Sequence, residues 1–113
     1  MSTPIPDEET EQSTPRLELQ DLLETLLGSQ YVYFQPPATL RMQYPCIVYA
    51  RDRMDTKFAN NKAYARKTGY QVTYIDKNPD SDVPDKIAEL PLCSHKTFFT
   101  ADNLNHDVFT LFF

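Results

Sequence analysis

The sequence predicts an α+β domain: a single, mostly antiparallel sheet of about five strands with two helices, in the order αβββαββ. Three observations predict it. Residues 46–53 and 64–76 alternate with the period of two that marks strands, Tyr70, Val72 and Tyr74 falling on one face and Gln71, Thr73 and Ile75 on the other. Leu19, Leu22, Leu23 and Leu26 recur at i, i+3, i+4, i+7, the stripe of an amphipathic helix. Two more strand candidates, residues 93–100 and 107–113, follow a second short helix, and this order reads as one sheet with helices laid on one face.

Taken in order, residues 1–14 form an acidic arm rich in Pro, Ser and Thr, expected to be flexible, and residues 15–113 form the single domain. Residues 1–11 are acidic and carry no apolar segment, so no signal peptide is expected. The first helix should span 15–27. Thr14 is the expected N-cap, Pro15 stands at the first helical position where its missing N–H costs nothing, and Gly28 is the stop. Residues 31–34 make a short aromatic strand, ended by Gln35, Pro36 and Pro37, since proline cannot continue a ladder. The segments 46–53 and 64–76 should pair as an antiparallel hairpin. Their connection, residues 54–63, holds Asn60 and Asn61 but no Gly, so a long exposed arm is expected rather than a tight turn.

Residues 77–81 have the chemistry of a turn. The second helix, 83–90, is expected to be capped by Asp82, with Pro84 in its first turn, Ile87 and Leu90 as its apolar pair and Pro91 as its end. Residues 101–106 are expected to form a loop. In the last strand Phe109, Leu111 and Phe113 share one face and Val108, Thr110 and Phe112 the other, so burial on both sides is expected. The Phe109 face should lie on the leucine stripe, and Phe112 against a neighbouring subunit or the hairpin.

Composition narrows the function. Apolar content of 41% and aromatic content of 12% are enough for a packed core, which excludes global disorder. No apolar run approaches the roughly 18–20 residues of a membrane helix. Two glycines exclude a Gly-rich phosphate loop, and two distant cysteines, Cys46 and Cys93, make neither a disulfide framework nor a zinc site. A metal at His95, Asp102, His106 and Asp107 would need an irregular loop, because the adjacent His106 and Asp107 point apart in an extended chain. A Cys/His nucleophilic pair would need a stabilised thiolate, whereas both cysteines read as small buried hydrophobes. Binding or assembly, without cofactor or metal, is the class left.

The net charge of −5 hides an asymmetry. Residues 41–67 carry seven bases against Asp52 and Asp55, while residues 1–24 carry seven acids against Arg16. The basic hairpin is most simply a solvated surface. It would also suit nucleic acid, with tyrosines stacking on bases, or the acidic segment of a neighbouring copy.

The run Tyr44, Pro45, Cys46, Ile47, Val48, Tyr49 with Arg51, the stretch 55–64 with Asn60, Asn61 and Lys62, and the tract 70–76 resemble small tail proteins of long-tailed bacteriophages. The resemblance continues through Pro84, Asp85, Lys86, Ile87 and Leu90, Pro91, Leu92, and ends in Asp102, Asn103, Leu104, Asn105, His106, Asp107, Val108, Phe109, covering roughly residues 17–113. Such proteins are often labelled minor capsid or minor tail proteins, and their size and element order are similar to the tail terminator. The resemblance implies a homo-oligomeric ring, typically a hexamer, that stops tail-tube growth, docks the head connector or neck protein and lets genomic DNA pass through its lumen. It implies a place in the virion tail or neck, after assembly in the host cytoplasm, and no enzymatic activity. A head-closure or tail-completion protein is the near alternative. The residues expected at a subunit or tail-tube interface are Arg51, Arg53, Asp55, Lys57, Asn60, Asn61, Lys62, Asn103, Asn105, His106 and Phe112.

Overall fold

Helix α1, Pro15–Leu27, begins and ends where its capping residues require. Thr14 is extended and its Oγ1 accepts from the backbone N–H of Leu17 at 3.2 Å; Gly28, at φ 84°, takes the left-handed conformation and its N–H donates to Glu24 O at 2.8 Å. The structure is a computed structural model that describes residues 14–52 and 67–113. The expected arm at 54–63 lies outside the described residues, as does most of the expected N-terminal arm.

The fold is α+β, in the order α1, β1 (Val32–Phe34), β2 (Cys46–Arg51), β3 (Gly69–Asp76), α2 (Val83–Ala88), β4 (Cys93–Ala101), β5 (Leu104–Phe112). The five strands form one sheet in the order β1-β2-β3-β5-β4. Strands β2 and β3 pair antiparallel, Tyr49 opposite Val72 and Val48 opposite Thr73, as the alternation predicts. The sheet is mixed rather than purely antiparallel, because β1 pairs parallel to β2. Gln35 extends that pairing by one more bond, its N–H donating to Tyr49 O at 2.9 Å, before Pro36 and Pro37 end it.

One face of the sheet carries the core. Ile47 and Tyr49 of β2, Tyr70, Val72 and Tyr74 of β3, and Phe109 and Leu111 of β5 gather under Leu19 and Leu23 of α1 and Ile87 of α2. Leu22, Leu26, Leu27 and Leu90 close its edges. A polar clamp fixes α1 on β1 and β2. The Tyr49 hydroxyl donates to Gln20 Oε1 at 2.6 Å, Gln20 Nε2 donates to Val32 O at 2.9 Å, and Arg16 donates to the Tyr49 oxygen while its guanidinium sits 4.6 Å above the Phe34 ring. On the opposite face Cys46, Ile75 and Val108 are also buried, so the last strand is covered on both sides where Val108 and Phe109 succeed each other.

Three expectations need correction. Asp82 makes no capping bond with its side chain; Ser81 Oγ accepts from Val83 N at 3.2 Å instead, and Asp82 forms an exposed ion pair with Lys86 at 3.7 Å. Helix α2 stops at Ala88, two residues early. The expected loop at 101–106 contracts to two residues, Asp102 and Asn103, both left-handed at φ 54° and 63°. That is the turn whose twist matches a hairpin, and Asp and Asn tolerate it without glycine. Leu104, Asn105 and His106 therefore belong to β5.

Candidate assembly interface

Strand β4 ends the sheet: it pairs with β5 on one side, and its other edge is bare among the described residues. Its nine residues include Thr97, Phe98, Phe99 and Thr100, side chains that favour a pleated surface, yet eight of the nine are exposed. The register slips between His95 and Thr97, so Lys96 is an extra residue that resets the alternation. His95 and Phe98 consequently fall on the core side of the sheet, opposite Phe109 and Asp107, while Phe99 falls on the other side opposite His106. Phe99 stacks on the His106 ring at 4.5 Å and 12°, and remains 45% exposed. Phe98 is 52% exposed.

At the opposite end of β4 and β5 lies an apolar cleft of about 170 Å³, walled by Leu22, Leu90, Leu92, Leu111, Phe112 and Phe113, with Lys67 its charged member. The α2–β4 connection shapes it: Leu92 adopts φ 58°, and its carbonyl accepts from Phe112 N at 3.1 Å. Residue Phe113 is tied to Thr68 by two backbone bonds, at 3.0 and 3.2 Å, so the chain end is held in the wall.

The residues expected at an interface are divided among three places. Arg51 is exposed at the end of β2, where its backbone N–H donates to Gln35 Oε1 at 3.2 Å. Arg53, Asp55, Lys57, Asn60, Asn61 and Lys62 lie outside the described residues. Asn103, Asn105 and His106 share the β4–β5 hairpin. Asn103 is exposed in the turn; the Asn105 amide donates to Asp76 O and Lys77 O at 3.1 and 3.2 Å, tying β5 to the end of β3; His106 Nδ1 lies 3.2 Å from Leu104 O. Phe112 is half-buried in the cleft wall. The sequence reading missed Phe98, Phe99 and Lys67. The Phe98–Phe99 doublet was the available signal, since adjacent aromatics in a strand must face opposite sides and only an edge or an interface leaves both uncovered.

The titratable groups follow their surroundings. Burial pushes the Cys46 thiol from its ordinary 9.0 up to about 12 and the Cys93 thiol up to about 11, so both stay protonated near neutral pH. His95 pairs not with a thiol but with Asp107, Nε2 to Oδ1 at 3.0 Å. His106 lies on the opposite face and Asp102 at the turn, and among the described residues no three such ligands converge. Burial also raises Tyr74, whose hydroxyl donates to Asp76 Oδ2 at 2.5 Å and lies 3.0 Å from Ser81 Oγ. The contact with Ser81 joins β3 to the turn before α2.

Comparison with known proteins finds no matching family model, no matching curated protein and no matching solved structure. Among the described residues no helix is long and apolar enough to cross a membrane.

Proposed function

We propose that the chain is a structural protein of a bacteriophage tail or neck, a tail-terminator-type subunit that works as a homo-oligomeric ring. The ring caps the tail tube and meets the head connector, and it does its work by contact rather than by catalysis. The observation that carries this reading is β4, a nine-residue edge strand exposed at eight positions that presents Phe98 and Phe99 to its surroundings. Exposed, apolar edge strands invite pairing with other chains, and proteins that do not use such an edge shorten it, bulge it or charge it. Here the bulge at Lys96 lies early in the strand, and the stretch from Thr97 to Ala101 that follows carries no charge. A ring uses every such edge at once. The sequence resemblance, which runs through Asn103, Asn105 and His106 of the same hairpin, supports the same reading. The protonated thiols of Cys46 and Cys93 favour a structural over a nucleophilic use of both cysteines.

Electron microscopy of phage particles made without the protein tests the assignment. Overlong tails are the result expected of a terminator. Tails of normal length that stay detached from heads would move the protein to the joining step, and normal infectious particles would overturn the reading.

A further inference from the structure

The molecule carries an apolar knob and an apolar hole that cannot meet within one chain. Phe98, half exposed, stands opposite Asp107 on β5, whereas the cleft lies at the level of Leu111 to Phe113 on the same strand. The four residues from Asp107 to Leu111 separate the two by roughly 13 Å along the sheet. We propose that Phe98 of one copy inserts into the cleft between Leu22, Leu90, Leu92 and Leu111 of a second copy. This rests on the ring reading above and gives that ring its contact.

Size, charge and symmetry favour this occupant. A cavity of roughly 150 Å³ lined by Leu, Ile and Phe side chains takes up benzene; the cleft here measures about 170 Å³ and is lined mostly by Leu and Phe. Phe98 is a phenyl ring with two side-chain torsions on a strand paired with β5, so its insertion orders few rotatable bonds. Charge agrees as well. Asp107 is the cross-strand neighbour of Phe98 on the same face, and Lys67 stands in the cleft wall with no ion-pair partner among the described residues. Seating the ring would bring the Asp107 carboxylate, which His95 holds through one oxygen, toward the Lys67 ammonium. Because knob and hole are different patches, the contact is head-to-tail, and repetition closes a ring when the rotation allows.

The test uses the full chain and two separable variants. Phe98→Ser removes the knob at an exposed position, so its melting temperature should stay near that of the parent protein. It should weaken self-association by about thirtyfold or more, the change that a contact of roughly 2 kcal/mol converts to. Leu22→Trp fills the hole and leaves the knob. At a concentration where the parent assembles and a contact about thirtyfold weaker does not, each variant alone should be monomeric by light scattering, and an equimolar mixture should form a dimer that grows no further, since only one complementary pair remains. Lys67→Glu, away from the core, should weaken assembly and serves if Leu22→Trp does not fold. If the parent assembles and Phe98→Ser assembles equally well, the knob is elsewhere and the inference fails while the ring stands. A parent that is monomeric at every concentration, free and on tails, overturns both. If Leu22→Trp lowers the melting temperature but leaves assembly intact, a segment of the same chain fills the cleft and the proposal is wrong.

Discussion

Strands β3 and β4 flank β5 and pair with it in the same antiparallel sense, yet their environments are opposite. In β3 every residue is buried or half-buried, and in β4 all but Cys93 are exposed. Composition does not separate them, for Tyr70, Val72, Tyr74 and Ile75 in one are matched by Thr97, Phe98, Phe99 and Thr100 in the other. Position does. β3 lies between β2 and β5, with Tyr70, Val72 and Tyr74 in the same core cluster as Leu19, Leu23 and Ile87, and β4 lies at the rim with nothing described beyond it. Aromatic side chains in β3 hold the fold together, while Phe98 and Phe99 in β4 stay exposed.

The sharpest way to break this comparison is to truncate one phenylalanine on each side of it. Phe109→Ala empties a fully buried site between Val72 and the helices, and should cost roughly 3–5 kcal/mol of the roughly 5–15 kcal/mol that holds a domain together. Phe98→Ala, at the rim, should change stability by no more than about 0.5 kcal/mol. Denaturant unfolding of both variants checks the pair, and similar losses in the two would mean that β4 is packed as β3 is.

Alkaline pH should act through the groups that burial has raised, Cys46 of β2 most of all and Cys93 at the start of β4 as well. The Cys46 thiol ionises near 9 in the unfolded chain but only near 12 in the folded one, so folding favours the protonated form. Its contribution is complete below pH 9 and is lost as pH rises through that window; the raised hydroxyls of Tyr49 and Tyr74 act in the same direction. Melting temperature should therefore fall between pH 9 and 12, and Cys46→Ala should flatten part of the fall. A profile unchanged by that substitution would contradict the burial of the thiol.

Smaller effects sharpen the boundary of the buried region. Tyr49→Phe leaves Gln20 Oε1 and Arg16 without their hydroxyl partner and should cost about 1–2 kcal/mol in thermal unfolding. Gly28→Ala meets no neighbouring atom but forces an L side chain to φ 84°, a cost of roughly 1 kcal/mol by the same measurement.

How much of this was legible in the sequence depended on whether a signal was local. Helix α1 was readable to the residue because its cap, its proline, its leucine stripe and its glycine all act within one segment. The β2–β3 pairing followed from alternation. The parallel partnership of β1 was not readable, since it is fixed across the connection from Gln35 to Pro45, which has no helix to announce a crossover. The start of β5, Leu104 to His106, was hidden because Asn105 and His106 are polar, and the two-residue turn uses Asp102 and Asn103 where glycine is the usual marker. Asp82 looked like a cap by residue type, but its carboxylate pairs with Lys86 and Ser81 Oγ accepts from the Val83 amide. At the candidate interface the sequence drew attention to polar loop residues, whereas the structure draws it to Phe98 and Phe99, whose exposure depends on β4 being last in the sheet.

Amide hydrogen exchange followed over a dilution series tests the central contrast between the two strands most directly. The outward-facing amides of β4 should exchange fast in dilute protein and slow markedly as concentration rises and subunits cover the edge, while β3 exchanges slowly at every concentration. Exchange in β4 that stays fast at all concentrations, and equally so when the protein is bound to tails, would contradict the account.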